Sequence, residues 1–126
     1  MKVINFEDKG AKHADINKIL RECGVDDSEW VRNMSDGLKM MEEAEKDGDP
    51  FDLVITDMHY QLTPFGKDDL HAGEKLISEL KKRGSNAKII VCSSSRLRIK
   101  NIYGCVWYSE MGDWESDLKK LIKGLL

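Results

Sequence analysis

Disulfide chemistry, rigid proline segments and membrane spans all lack raw material here: the chain has three cysteines, two prolines and no long apolar run. Cys23, Cys92 and Cys105 are odd in number and show no CxxC spacing. Neither a disulfide framework nor a zinc site is expected, and they read as buried thiols. The scarcity of proline, with no low-complexity stretch, argues against disorder. No segment approaches spanning length, and the opening MKVINFEDKG carries acids where a signal peptide needs an apolar region. A cytoplasmic protein without membrane contact is expected. Charge of one sign is lacking too. The formal net charge is −3, and lysine and arginine alternate with acids as on solvated helix faces, which disfavours direct nucleic-acid binding.

What is present is the balance of a globular protein, with 40% hydrophobic and 34% charged residues in 126 positions. That length fits one domain, residues 1–126, with a core that needs no staples. Val3 to Phe6 (VINF) reads as a strand, and Ile16, Ile19 and Leu20 then recur at helical spacing up to a stop near Cys23-Gly24. A weak strand over Glu29 to Asn33 precedes a helix that Ser35 would cap and DGDP, residues 47 to 50, would end. The run FDLVITD supplies the next strand. A long polar loop leads to a helix over Ala72 to Arg83, stopped by Gly84, and Lys88 to Cys92 (KIIVC) is β-branched. Cys105 to Tyr108 (CVWY) reads as a fifth strand. Asp113 is a candidate cap for a terminal helix with Trp114, Leu118, Leu121, Ile122 and Leu125 on its apolar face. Strands alternating with helices predict an α/β fold: a three-layer α/β/α sandwich around a five-stranded parallel sheet.

In an open parallel sheet the functional crevice lies at the carboxyl ends of the strands. Glu7 and Asp8 follow the first strand, Asp57 follows LVIT, and Ser93, Ser94 and Ser95 follow KIIVC, so acids and hydroxyls are predicted on one edge. Clustered carboxylates repel unless a cation compensates, and an all-oxygen set suits a hard ion such as Mg2+. With the ion in place, an ionised aspartate can attack a phosphoryl group that would otherwise repel it.

The order of elements, the pair Glu7-Asp8, the FDLVITD signature and the hydroxyl after IIVC resemble a response-regulator receiver domain of two-component signalling. The resemblance covers nearly the whole chain and implies flavodoxin-like topology. It also implies Asp57 as phosphoacceptor, Glu7, Asp8 and Asp57 as Mg2+ ligands together with the backbone carbonyl of His59, and Ser93 as the hydroxyl that senses the phosphoryl group. Gly73 and the apolar positions after it resemble the family's third helix. The chain departs from the pattern at three places. The family's lysine just after the fifth strand is missing, since CVWYSEMGDW places Ser109 or a neighbour there. Lys9, Lys67 and Arg96 lie in loops near the edge and read as solvated charges. The segment between Asp57 and Gly73 is long, and RLRIKNIYG is too short for a full fourth helix, which is expected to be shortened.

The function implied is a stand-alone receiver in a phosphorelay, a phosphoacceptor rather than an enzyme. It would be loaded by a histidine kinase or phosphotransfer protein, or by a small phosphodonor, and would signal to a downstream protein by population shift. The alternative is a pseudo-receiver acting as a phosphorylation-independent interaction module. A phosphatase with an aspartyl nucleophile is a third reading, but such enzymes typically carry a second aspartate two residues on, where this chain has His59. His59 and His71 match no metal motif and read as exposed loop residues. Trp30, Trp107 and Trp114 read as core.

Overall fold

Strands with few polar interruptions need cover on both faces, and the computed structural model, which describes residues 1–126, supplies it. In chain order the elements are β1 (Val3–Phe6), α1 (Gly10–Glu22), β2 (Glu29–Val31), α2 (Met34–Lys46), β3 (Leu53–Thr56), β4 (Tyr60–Gln61) and β5 (Asp68–Asp69). Then come α3 (Ala72–Lys82), β6 (Lys88–Ser93), β7 (Gly104–Trp107) and α4 (Trp114–Lys123). The main sheet has five strands in the order β2-β1-β3-β6-β7, all paired in parallel. This is the flavodoxin-like order, with the chain reversing direction of travel between β1 and β3. It confirms the α/β sandwich expected from the sequence.

Alternation along the strands divides the core in two. Ile4, Phe6, Val54 and Val91 face α2 and α3 through Leu38, Met41, Leu76 and Leu80. Val3, Leu53, Ile55, Ile90 and Val106 face α1 and α4 through Ile16, Ile19, Leu20, Leu118 and Ile122. At Gly37 the α2 backbone lies so close to the sheet that a Cβ would stand 2.0 Å from the Phe6 ring.

Several expectations need correction. The cap of α2 is Asn33, not Ser35: Asn33 Oδ1 accepts from Asp36 N at 2.8 Å, and its amide donates to Asp36 Oδ2 at 2.8 Å. Met34 and Ser35 already lie inside the helix. The fourth helix is absent outright, since Ser94 to Tyr103 contains no helical residue. RLRIK alternates with period two, so an extended chain turns Leu97 and Ile99 toward the core while Arg96, Arg98 and Lys100 face water. The long segment after Asp57 is not a plain loop. It forms an antiparallel β4–β5 hairpin, anchored by the buried Tyr60, whose hydroxyl meets Thr56 Oγ1 at 2.9 Å. Only Cys92 of the three free thiols is buried, Cys23 and Cys105 being half-buried. The three tryptophans are also half-buried rather than core.

Candidate functional site

Phe6 pairs with Thr56 across β1 and β3, so the residues that follow each strand emerge side by side. Asp57 N donates to Phe6 O at 3.0 Å, and Glu7 N donates to Val31 O at 3.0 Å on the other flank. These bonds carry the carboxylates of Glu7, Asp8 and Asp57 to one point, where one oxygen from each lies within 4.8 Å of the others. The Asp57 backbone is held from both sides. Thr56 Oγ1 donates to its carbonyl at 2.7 Å, and α3 abuts that carbonyl at Gly73, where a Cβ would stand 2.6 Å from Asp57 O. Its side chain, 13% exposed, receives the Met58 amide on Oδ1 at 2.7 Å. No protein hydrogen bond reaches Oδ2.

The cation that the sequence does not offer after the fifth strand comes from α1. Lys12 is 6% exposed, and its Nζ lies 2.9 Å from Glu7 Oε1 and 3.4 Å from Asp57 Oδ1. It also donates to the Cys92 carbonyl at 2.6 Å. The residue directly after β7 is Tyr108, tied to β6 by Tyr108 N to Ser93 O at 2.8 Å. Its ring supports Lys12 Nζ at 5.2 Å, and its hydroxyl donates to Asp15 Oδ2 at 2.6 Å. Tyr108 therefore occupies the position directly after the fifth strand of the sheet, and the ammonium reaches the carboxylates from α1 beside it. Periodicity held the signal: Lys12, Ile16 and Leu20 are spaced i, i+4, i+8 on the buried face of α1. A lysine in that series needs a buried partner. Lys9, Lys67 and Arg96 are exposed, as read from the sequence.

Burial pushes the Glu7 carboxyl above its usual range, with the Lys12 ammonium opposing the rise and the Asp57 carboxylate adding to it. Burial works against the Lys12 charge, and the Glu7 and Asp57 carboxylates that flank it work in its favour. The neighbouring Cys92 thiol would add a further negative charge only if ionised, and burial lifts it to about 12.

The remaining sequence-derived candidates sit at the same edge with looser ties. Ser93 closes β6 and is buried, its Oγ accepting from Ser95 N at 3.1 Å and making no bond to Asp57. His59 is exposed two residues beyond Asp57, and His71 is exposed at the start of α3. Sequence reasoning missed Trp30 as well as Lys12: its indole donates to Glu7 O at 2.6 Å and stacks on His13 at 4.6 Å.

The donor set fits a hard divalent cation. Glu7 Oε1 and Asp8 Oδ1 are buried and receive no hydrogen bond of sound geometry, the Lys12 contact with Glu7 being an ion pair. Buried oxygens without donors are costly unless something else coordinates them. Three carboxylates against one ammonium leave a formal charge of −2 at the cluster, which a divalent ion neutralises.

No protein-family model and no curated protein sequence matches the chain. Solved structures do. A DNA-binding response regulator of the LuxR family from Staphylococcus aureus superposes with a TM-score of 0.68 at 18% identity, covering 98% of this chain and 97% of that one. A cyanobacterial phytochrome response regulator, solved in its phosphorylated form, gives 0.67 at 19% identity over 98% of this chain and 89% of the other. A sensor protein from Polaromonas gives 0.67 at 17% identity, covering 97% and 93%. Likeness at such identities establishes the fold, and the fold is that of response-regulator receiver domains.

Proposed function

We propose that this chain is a phosphoacceptor receiver that takes a phosphoryl group on Asp57 with Mg2+ bound and passes its state to a protein partner. The observation that carries the reading is the convergence of Glu7, Asp8 and Asp57 with a buried lysine at the carboxyl edge of a receiver-fold sheet. The Asp8 and Glu7 carboxylates, Asp57 and the His59 carbonyl are the ligands we assign to the ion. When bound, it neutralises charge on the phosphoryl oxygens during transfer.

The protein's own residues do the rest. The Met58 amide and Lys12 hold Asp57 Oδ1, which leaves Oδ2 as the nucleophile. Oδ2 forms the new bond to phosphorus as the bond to the donor's leaving group breaks. That group departs with the electron pair: imidazole nitrogen from a phosphohistidine, acetate oxygen from acetyl phosphate. Ser93, on the strand next to Asp57, is the hydroxyl we assign to sensing the phosphoryl group. The donor is a histidine kinase, a phosphotransfer protein or a small acyl phosphate, and the change is read by a downstream protein. The domain itself is a phosphoacceptor rather than a turnover enzyme.

Incubating the protein with acetyl phosphate and Mg2+ and weighing it intact tests this directly. One added phosphoryl group is expected, lost with chelator and lost in Asp57→Asn. Absence of the adduct under conditions that label an ordinary receiver points instead to a phosphorylation-independent interaction module.

A further inference from the structure

We infer that Lys12, on the first helix, is the charge partner of the phosphoryl group on Asp57, with Tyr108 as the platform that aims it. The inference rests on the receiver reading above and adds a residue to it. The Lys12 ammonium has three oxygens around it, one hydrogen-bonded and two ion-paired: the Cys92 carbonyl at 2.6 Å, Glu7 Oε1 at 2.9 Å and Asp57 Oδ1 at 3.4 Å. The contact to Asp57 Oδ1 is the longest, so it is the one given up most readily for a stronger acceptor built on the neighbouring Oδ2. Phosphoryl oxygens attached to Asp57 are such acceptors, because they carry more charge than the carboxylate they replace.

The helix brings Lys12 to this place at little entropic cost. Ile16 and Leu20 fix the same helical face against the sheet, and the Tyr108 ring, 5.2 Å from Nζ, closes the remaining side. Tyr108 is in turn fixed by its hydroxyl on Asp15 and by ring contact with Trp114 at 4.8 Å. A lysine at position 108 would start beside Lys12 Nζ, where the ring now stands, and in a rotamer turned away from Asp15 its ammonium would be directed to the same carboxylates. In this chain the cation comes from α1 while the residue after β7 is aromatic, an exchange relative to the receiver pattern that keeps one ammonium at the carboxylates.

The trade makes a rescue experiment decisive. The rate of adduct formation with acetyl phosphate and Mg2+ is measured by intact mass for the unaltered chain, Lys12→Met, Tyr108→Lys and Lys12→Met/Tyr108→Lys. Folding is checked by thermal melting. Lys12→Met is expected to slow labelling by about ten- to a hundredfold, the equivalent of one charge-assisted hydrogen bond, and the double variant is expected to recover at least about tenfold of that loss. A purely structural lysine predicts no recovery from position 108. If Lys12→Met fails to fold because Glu7 is left uncompensated, the comparison moves to Lys12→Gln, whose uncharged amide keeps donors for Glu7 Oε1 and the Cys92 carbonyl, with the same loss expected. A folded Lys12 variant that labels at the unaltered rate overturns this inference and leaves the receiver reading standing. An unaltered chain that takes no phosphoryl group overturns both.

Discussion

His13 shows how a single side chain can tie the site to the stability of the fold. Asn5 Nδ2 donates to Ile55 O at 3.0 Å, which turns Asn5 Oδ1 toward His13 Nδ1 at 2.8 Å. At the other end, Ser28 donates to Asn17 Oδ1 through its amide at 3.0 Å and its hydroxyl at 2.7 Å, so Asn17 Nδ2 must donate to His13 Nε2 at 3.1 Å. The chain of donors therefore fits only the neutral ring with its proton on Nδ1. Burial lowers the His13 pKa, and the nearby Asp27 carboxylate works against that shift. Arg32 packs over the Trp30 ring on which His13 stacks. Unfolded histidine takes up a proton near 6.5, whereas the folded chain resists it. The network's stability is complete above that value and is lost as pH falls from it toward the lower folded value. Urea midpoints at about pH 7.5 and about pH 5.5 should fall further in the unaltered protein than in His13→Gln. Parallel losses would show that the ring is not held neutral.

At the level of elements, the start of α2 separates two residues that look alike in sequence. Asn33 caps the helix and receives the Asp36 amide, while Ser35 is an exposed first-turn residue whose own amide bonds Leu62 O of the hairpin at 2.9 Å. Asn33→Ala should cost about 1 kcal/mol, and Ser35→Ala should stay within about 0.5 kcal/mol, both read as shifts in urea midpoint. The reverse order would restore Ser35 as the cap. This case also shows what a sequence makes legible. Buried strands such as LVIT announce themselves because three apolar residues run together with Thr56 as the only polar member, and glycine stops such as Gly24 and Gly84 announce themselves because their φ angles, +77° and +71°, suit few other residues. The edge acids Glu7, Asp8 and Asp57 followed from those strand ends. Lys12 was legible only as a buried position, from its i, i+4, i+8 spacing with Ile16 and Leu20, because which groups it meets depends on how α1 crosses the sheet. The hairpin was hidden for a related reason. Its two strands are two residues each and gain stability from the Tyr60 anchor rather than from their own composition.

The whole molecule gives up stability at one edge to build the site. Strand order β2-β1-β3-β6-β7 places the reversal beside β1 and β3, and the acids that follow those two strands meet in the crevice it opens. In the absence of a metal they repel. Only one ammonium offsets three carboxylates, and two of the acid oxygens are buried without donors. Two like charges roughly 4 Å apart cost about 1 kcal/mol even at the dielectric of water. Asp8→Asn should therefore raise the metal-free stability by at least about that amount. Added Mg2+ should reverse the ranking. A ligand that binds only the folded chain stabilises it by about 2.7 kcal/mol at a hundred times its Kd, and on the assignment proposed above Asp8→Asn should remove one ligand and with it most of that gain. Urea unfolding of both proteins across a Mg2+ series should thus give lines that cross, with the variant more stable at zero metal and the unaltered chain more stable at saturation. Equal metal responses would remove Asp8 from the ligand set, and a variant less stable without metal would make Asp8 a structural residue. A crossing would show that the cost of assembling the carboxylates is recovered only when the ion is bound.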